Sequence, residues 1–153
     1  MKVVEVKGIG AILKNMDKHK KSVGSAFATG LKTAGLFLQG ESQAIVPFQL
    51  GELHGSAFTR NVGGKGFDAD VVVGYTAKYA PFVHENLDAA HGKEFNIIYA
   101  EAIAAAVGTK KGTAKGGMFN RGENQQAKFL ETPARNKRKE IIQIVADKVR
   151  SVK

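Results

Sequence analysis

The sequence predicts a single α+β domain, in which a long N-terminal helix and a C-terminal helix cover one face of a small antiparallel sheet. Three observations carry that expectation. Apolar residues recur every three or four positions from Ile9 to Leu38, β-branched and aromatic residues bounded by glycines fill much of 57–75, and a second helical period runs from Pro133 to Val152. A chain of 153 residues, 43% hydrophobic and 24% charged, has the make-up of one globular domain able to bury roughly 70% of its unfolded surface. Two full domains do not fit in it.

The first period passes through Leu13, Met16, Val23, Phe27, Leu31, Ala34 and Leu38 and is interrupted only by the polar stretch 18–22. It also carries Gly24, Gly30, Gly35 and Gly40. Each costs about 1 kcal/mol against alanine in a helix interior, so packing must hold this helix, and the small residues admit a close neighbour. Pro47 disfavours a helical Val46 and ends the element, after which 47–56 reads as a polar loop. Residues 57–61 and 70–75 form a hairpin through the turn Gly63-Gly64-Lys65-Gly66. The short apolar run Tyr79-Ala80-Pro81-Phe82-Val83 reads as an edge or a strand end because of Pro81. Residues 95–107 turn helical again, with Ile98, Ala102, Ala105 and Ala106 on one side. Residues 108–126, rich in glycine and lysine, predict a mobile basic loop. Phe129 and Leu130 are expected in the core. Pro133 then opens a terminal helix through Ala134, Arg138, Ile141, Val145, Lys148 and Val152, its stripe widened by Ile142 and Val149.

Cysteine is absent, which excludes disulfide scaffolds, thiolate catalysis, cysteine-ligated zinc and iron–sulfur clusters. The opening MKVVEVKGIG lacks a basic stretch followed by an apolar core, and no run approaches the roughly 18 apolar residues of a membrane span. The expectation is a soluble cytosolic chain without membrane contact. Lys and Arg number 23 against 14 Asp and Glu, a net charge of +9 that suits a surface facing phosphates or an acidic protein. Lys110, Lys111, Lys115, Arg121 and Lys128 stand against Glu123 alone in 108–128, and Arg135, Lys137, Arg138 and Lys139 follow. Residues 51–101 are close to balanced.

Reactive constellations fail on spacing. His84-Glu85 resembles half of a zinc-protease motif, but the next histidine is His91, not a residue one helical turn on, so His84 and Glu85 are expected to make ordinary hydrogen bonds beside the sheet. His19, among Lys18, Lys20 and Lys21, reads as a solvated helix face. The loop from Gly108 has Thr113 where a phosphate-cradling loop needs glycine, and the Gly63–Gly66 turn has no helix behind it. Ser22, Ser25, Ser42, Ser56 and Ser151 lie outside any nucleophile elbow, and His54 with Ser56 would share one side of a strand without a third group. No catalytic residue, cofactor site or metal ligand is therefore assigned, and no enzyme activity or cofactor is expected. Most of Phe67, Tyr75, Tyr79, Phe82 and Phe129 are expected in the core, with subunit contact as a second use of that apolar area. The candidate contact residues are Tyr75, Tyr79, Phe82, His84 and Glu85.

Four segments occur in one order: Pro47-Phe-Gln-Leu-Gly51-Glu-Leu53-His-Gly-Ser56, Val73-Gly74, Tyr79-Ala80-Pro81-Phe82-Val83-His84-Glu85, and Ala127-Lys-Phe129-Leu130-Glu-Thr-Pro133-Ala134. That order resembles the neck, or tail-completion, proteins of long-tailed double-stranded DNA phages, over nearly the whole chain. Leu50 stands where that family usually has threonine and His54 where arginine is common, while about 92–126 looks like an insertion. The resemblance implies a noncatalytic virion protein. It would form a ring, sixfold by preference, joining the portal side of the head to the tail, made in the host cytoplasm and ending in the virion neck. Its partners would be itself, neighbouring connector and tail proteins, and the genome DNA passing through the ring. The alternative is a nonspecific nucleic-acid-binding protein using Lys110, Lys111, Lys115, Arg121 and the Arg135–Lys139 cluster. An uncharacterised hydrolase is the third reading.

Overall fold

The longest element, α1 (Ile9–Ile45), has 37 residues and so measures about 55 Å. The computed structural model describes residues 8–47, 51–87 and 125–152, and among these α1 is the element against which the hairpin and the C-terminal helices pack. It stops where Pro47 dictates: Val46 is extended (φ −63°, ψ 138°) and its N–H donates back to Ser42 O at 2.9 Å. Then follow α2 (Glu52–Gly55), β1 (Ala57–Gly63), a 3₁₀ turn (Gly66–Asp68), β2 (Asp70–Tyr75), α3 (Ala80–Glu85), α4 (Glu131–Asn136) and α5 (Arg138–Arg150). The fold is α+β: a long N-terminal helix, C-terminal helices and a small antiparallel sheet.

The hairpin pairs Ala57 with Tyr75 through to Asn61 with Val71, and the register slips between Asn61 and Gly63 before Gly63 meets Asp70. At its tip Gly64 has φ +63°, and a Cβ there would fall 1.6 Å from the Asp68 carbonyl oxygen, so only glycine makes this turn.

The glycines of α1 mark where its neighbours press closest. Gly24 and Gly35 are eleven residues apart, about three turns, and so look the same way, while Gly30 points about 120–140° round the axis. A Cβ on Gly35 would lie 2.9 Å from methyls of both Thr59 and Val71, and one on Gly24 would lie 3.1 Å from Gly66 Cα. On the other flank, a Cβ on Gly30 would lie 3.1 Å from Val145 Cα in α5. The sheet and its turn thus sit on one side of α1 and α5 on the other. Thr59 adds a polar tie, its hydroxyl 2.7 Å from Gln39 Oε1 and 3.3 Å from Gly35 O.

Four sequence expectations change. The 79–83 run is not a strand end but the start of α3, because Pro81 falls in the first helical turn, where a missing N–H leaves no hydrogen bond unmade. The 47–56 loop contains α2, anchored by buried Leu53. The terminal helix is two helices parted at Lys137 (φ −99°, ψ 17°). The break is slight, since the Lys137 N–H still donates to Pro133 O at 2.8 Å and its carbonyl accepts from Ile141 N–H at 2.9 Å. Finally, Phe129 is buried and Tyr75 half-buried, but Phe67, Tyr79 and Phe82 are exposed, since a two-stranded sheet with one helix on it lacks a second covering layer. The helix expected at 95–107 and the loop expected at 108–126 fall outside the described residues, except Gln125, which is buried, and Gln126, whose N–H donates to Ile45 O at 3.1 Å. The core comprises Val46, Leu53, Ala80 and Phe129, with Ile45, Tyr75, Ala77, Val83 and Leu130 packed around it. It lies at the C-terminal end of α1.

Candidate functional site

At this end of α1 the chain makes an unusual turn at Lys128, a non-glycine residue with φ +54°. Three bonds hold it there. Its N–H donates to His84 O at 2.8 Å, its carbonyl accepts from Thr132 N–H at 2.8 Å, and its ammonium donates to Glu85 Oε2 at 2.5 Å. Glu131 lies a further 3.5 Å from the same ammonium. The turn drives Phe129, 1% exposed, between the rings of Tyr75 (centroids 5.0 Å, 81°) and His84 (4.9 Å, 86°), both edge-to-face. The Tyr75 hydroxyl continues inward to the fully buried Ser42 Oγ at 2.7 Å.

Three of the four segments behind the family resemblance meet in this core: 47–56 through Leu53, α3 through Ala80, Val83 and His84, and 127–134 through Phe129 and Leu130, whereas Val73-Gly74 lies outside it, one residue before Tyr75. The three form one packing unit. The electrostatics follow from the contacts. The Lys128 ammonium, then His84, holds the Glu85 carboxyl below the usual carboxylate range, and Glu85 in turn holds Lys128 above the usual lysine value. Burial pushes the Tyr75 phenol up, partly offset by its bond with Ser42. His84 Nδ1 sits 2.8 Å from Glu85 Oε1, while Nε2 is buried without a hydrogen-bond partner among the described residues. No set of three or more His, Asp or Glu among the described residues is placed to share a metal ion.

The five candidate contact residues divide. Tyr75 and His84 turn into the core, and Glu85 is on the surface in its ion pair. Tyr79 and Phe82 face outward, with Phe82 77% exposed and Leu87 beside α3 at 70%. Lys110, Lys111, Lys115 and Arg121 lie outside the described residues. In the C-terminal basic cluster, Arg135 is bonded to Glu131 at 2.5 Å and Lys137 lies 4.0 Å from Glu41 and 3.7 Å from Glu140. His54 and Ser56 are not on a strand: His54 belongs to α2 and Ser56 caps it, its hydroxyl donating to Leu53 O at 2.8 Å.

Two surfaces on α1 went unassigned in the sequence. Residues 8–22 are exposed without exception, so the first turns of the helix project from the packed body. Along them Ile9, Ile12, Leu13 and Met16, each more than half exposed, extend the stripe that α5 and the sheet flank from Val23 onward. Lys14, Lys18 and Lys21 occupy the opposite side of the same stem. Where the stem enters the body, an open groove is walled by Lys18, Lys21, Ser22, Ser25, Ala26 and Thr29 of α1 and by Lys148 and Ser151 at the end of α5. The three- and four-residue spacing of the lysines was visible in the sequence. The second wall was not, because 127 positions separate Lys21 from Lys148.

Comparison with protein-family models, with curated proteins and with solved structures yields no match.

Proposed function

We propose that the chain is a structural subunit of a head-to-tail connector in a long-tailed double-stranded DNA phage, working by shape and subunit packing rather than by chemistry. The observation that carries this reading is the pair of uncovered apolar surfaces at opposite ends of α1. The stem stripe (Ile9, Ile12, Leu13, Met16) and the α3 surface (Tyr79, Phe82, Leu87) are separated by about 50 Å of helix. Apolar patches of this kind on a small domain favour burial against another molecule. Two different patches at opposite ends make a heterologous contact between copies, and such a contact closes into a ring when the rotation allows.

The segments that carry the family resemblance support the reading in a second way, because three of the four meet in one core instead of being scattered over the surface. The proposed setting is the virion neck, with assembly in the host cytoplasm. The partners are further copies, six by preference, then adjoining connector and tail proteins, with the genome passing through.

The test is electron microscopy of particles from a phage deleted for this chain. Full heads separated from finished tails are expected, and supplying Met16→Asp or Phe82→Asp chains with wild-type melting temperatures should fail to restore joining. Intact infectious particles without the chain would overturn the proposal.

A further inference from the structure

We infer that the groove between α1 and α5 is a binding site for the phosphate backbone of a nucleic acid. Its lining consists of Lys18, Lys21 and Lys148 with the hydroxyl residues Ser22, Ser25, Thr29 and Ser151 and a single alanine, Ala26; no carboxylate lines it. None of the three lysines is engaged in an ion pair with a described carboxylate. The nearest acids lie outside its walls, although Asp17 is one helical turn from Lys21. Asp17 lines the cleft on the hairpin side, which Lys21 and Ser25 also border, and Asp147 accepts from Gln143 at 2.6 Å and Arg150 at 3.5 Å.

The shape selects a polymer. Lys14, Lys18 and Lys21 follow one another at four and three residues on one side of the stem, and Ser25 and Thr29 continue the row. From Lys14 to Thr29 the row runs about 22 Å, the rise of about six nucleotides of one strand. The groove is open along its length, so a chain of phosphates can lie in it, whereas a small anion would find no enclosure. A lipid surface is the less suitable occupant, because the groove walls hold no large apolar side chain to enter a membrane, and the apolar stripe of the stem faces the other way. The site differs from the Arg135–Lys139 cluster, where Arg135 and Lys137 already have carboxylate partners. It stands independently of ring assembly.

The experiment is fluorescence anisotropy of the full chain with a labelled random-sequence 20-base-pair duplex, repeated from about 50 to 200 mM salt, over which the logarithm of a phosphate-driven affinity falls linearly with that of the salt concentration. Three phosphate contacts predict that the Lys18→Gln, Lys21→Gln, Lys148→Gln triple variant loses about 2.7 from the log–log salt slope and at least about tenfold in affinity. Glutamine keeps the aliphatic stem of Lys148 against α1, and an unchanged melting curve confirms the fold. A Lys137→Gln, Lys139→Gln variant should bind like wild type. Failure of the wild-type chain to bind duplex at the lowest salt overturns the inference. So does an unchanged affinity in the triple variant, or binding to phosphatidylserine vesicles without binding to duplex.

Discussion

Replacing Gly35 and Gly40 of α1 by alanine, one at a time, should move stability in opposite directions. At both sites alanine gains about 0.5–1 kcal/mol from the lower helix propensity of glycine. At Gly40 a new Cβ meets no atom within 4 Å, so that gain stands alone. At Gly35 the Cβ would lie 2.9 Å from Thr59 Cγ2 and 2.9 Å from Val71 Cγ1, and 3.4 Å from Val73 Cγ2. Those methyls belong to short β-branched side chains on a paired sheet and cannot swing aside, so overpacking of about 1–3 kcal/mol is incurred. The net is a loss of up to about 2.5 kcal/mol for Gly35→Ala. In a domain of this length 1 kcal/mol shifts the melting temperature by about 2–4 °C, so Gly35→Ala should melt up to about 10 °C lower and Gly40→Ala roughly 1–4 °C higher. Thermal unfolding followed by circular dichroism measures both. A Val71→Ala background should shrink the Gly35→Ala loss, because it opens one of the two closest contacts. Equal melting of the two single variants would refute the claim that glycine at position 35 exists to admit the sheet.

Phe129→Ala removes the most buried large side chain and its edge-to-face contacts with Tyr75 and His84, and should destabilise by about 3–5 kcal/mol in denaturant titration; a loss under about 1 kcal/mol would place the ring outside the core. Glu85→Gln tests the ion pair through pH. The depressed Glu85 carboxyl contributes stability above its usual range and loses it as pH falls through the lowered value, while raised Lys128 contributes below the usual lysine value and loses it as pH rises through the elevated one. The gap in melting temperature between wild type and Glu85→Gln should therefore be steady from about pH 6 to 9 and close below about pH 4. A gap that persists undiminished at about pH 3 contradicts the pairing.

The sequence by itself determined what depends on neighbours along the chain. Helical period and Pro47 set α1 and its end, and the glycine-bounded β-branched runs set the hairpin. Packing, not propensity, had to hold a helix bearing five glycines, and Gly24, Gly30 and Gly35 prove to be its points of closest approach. Only tertiary structure decided what depends on distant residues. Pro81 is compatible with a strand end and with a first helical turn, and the pairing of α3 with Lys128 selected the helix. The apolar spacing of Ile9, Leu13 and Met16 is indistinguishable in sequence from that of Phe27, Leu31 and Ala34, yet the body covers the second set and leaves the first in solvent. Lys148 became part of a groove because α5 returns along α1. Periodicity records which side of an element is apolar, whereas cover and convergence depend on where the chain folds back, and that is a property of the whole molecule.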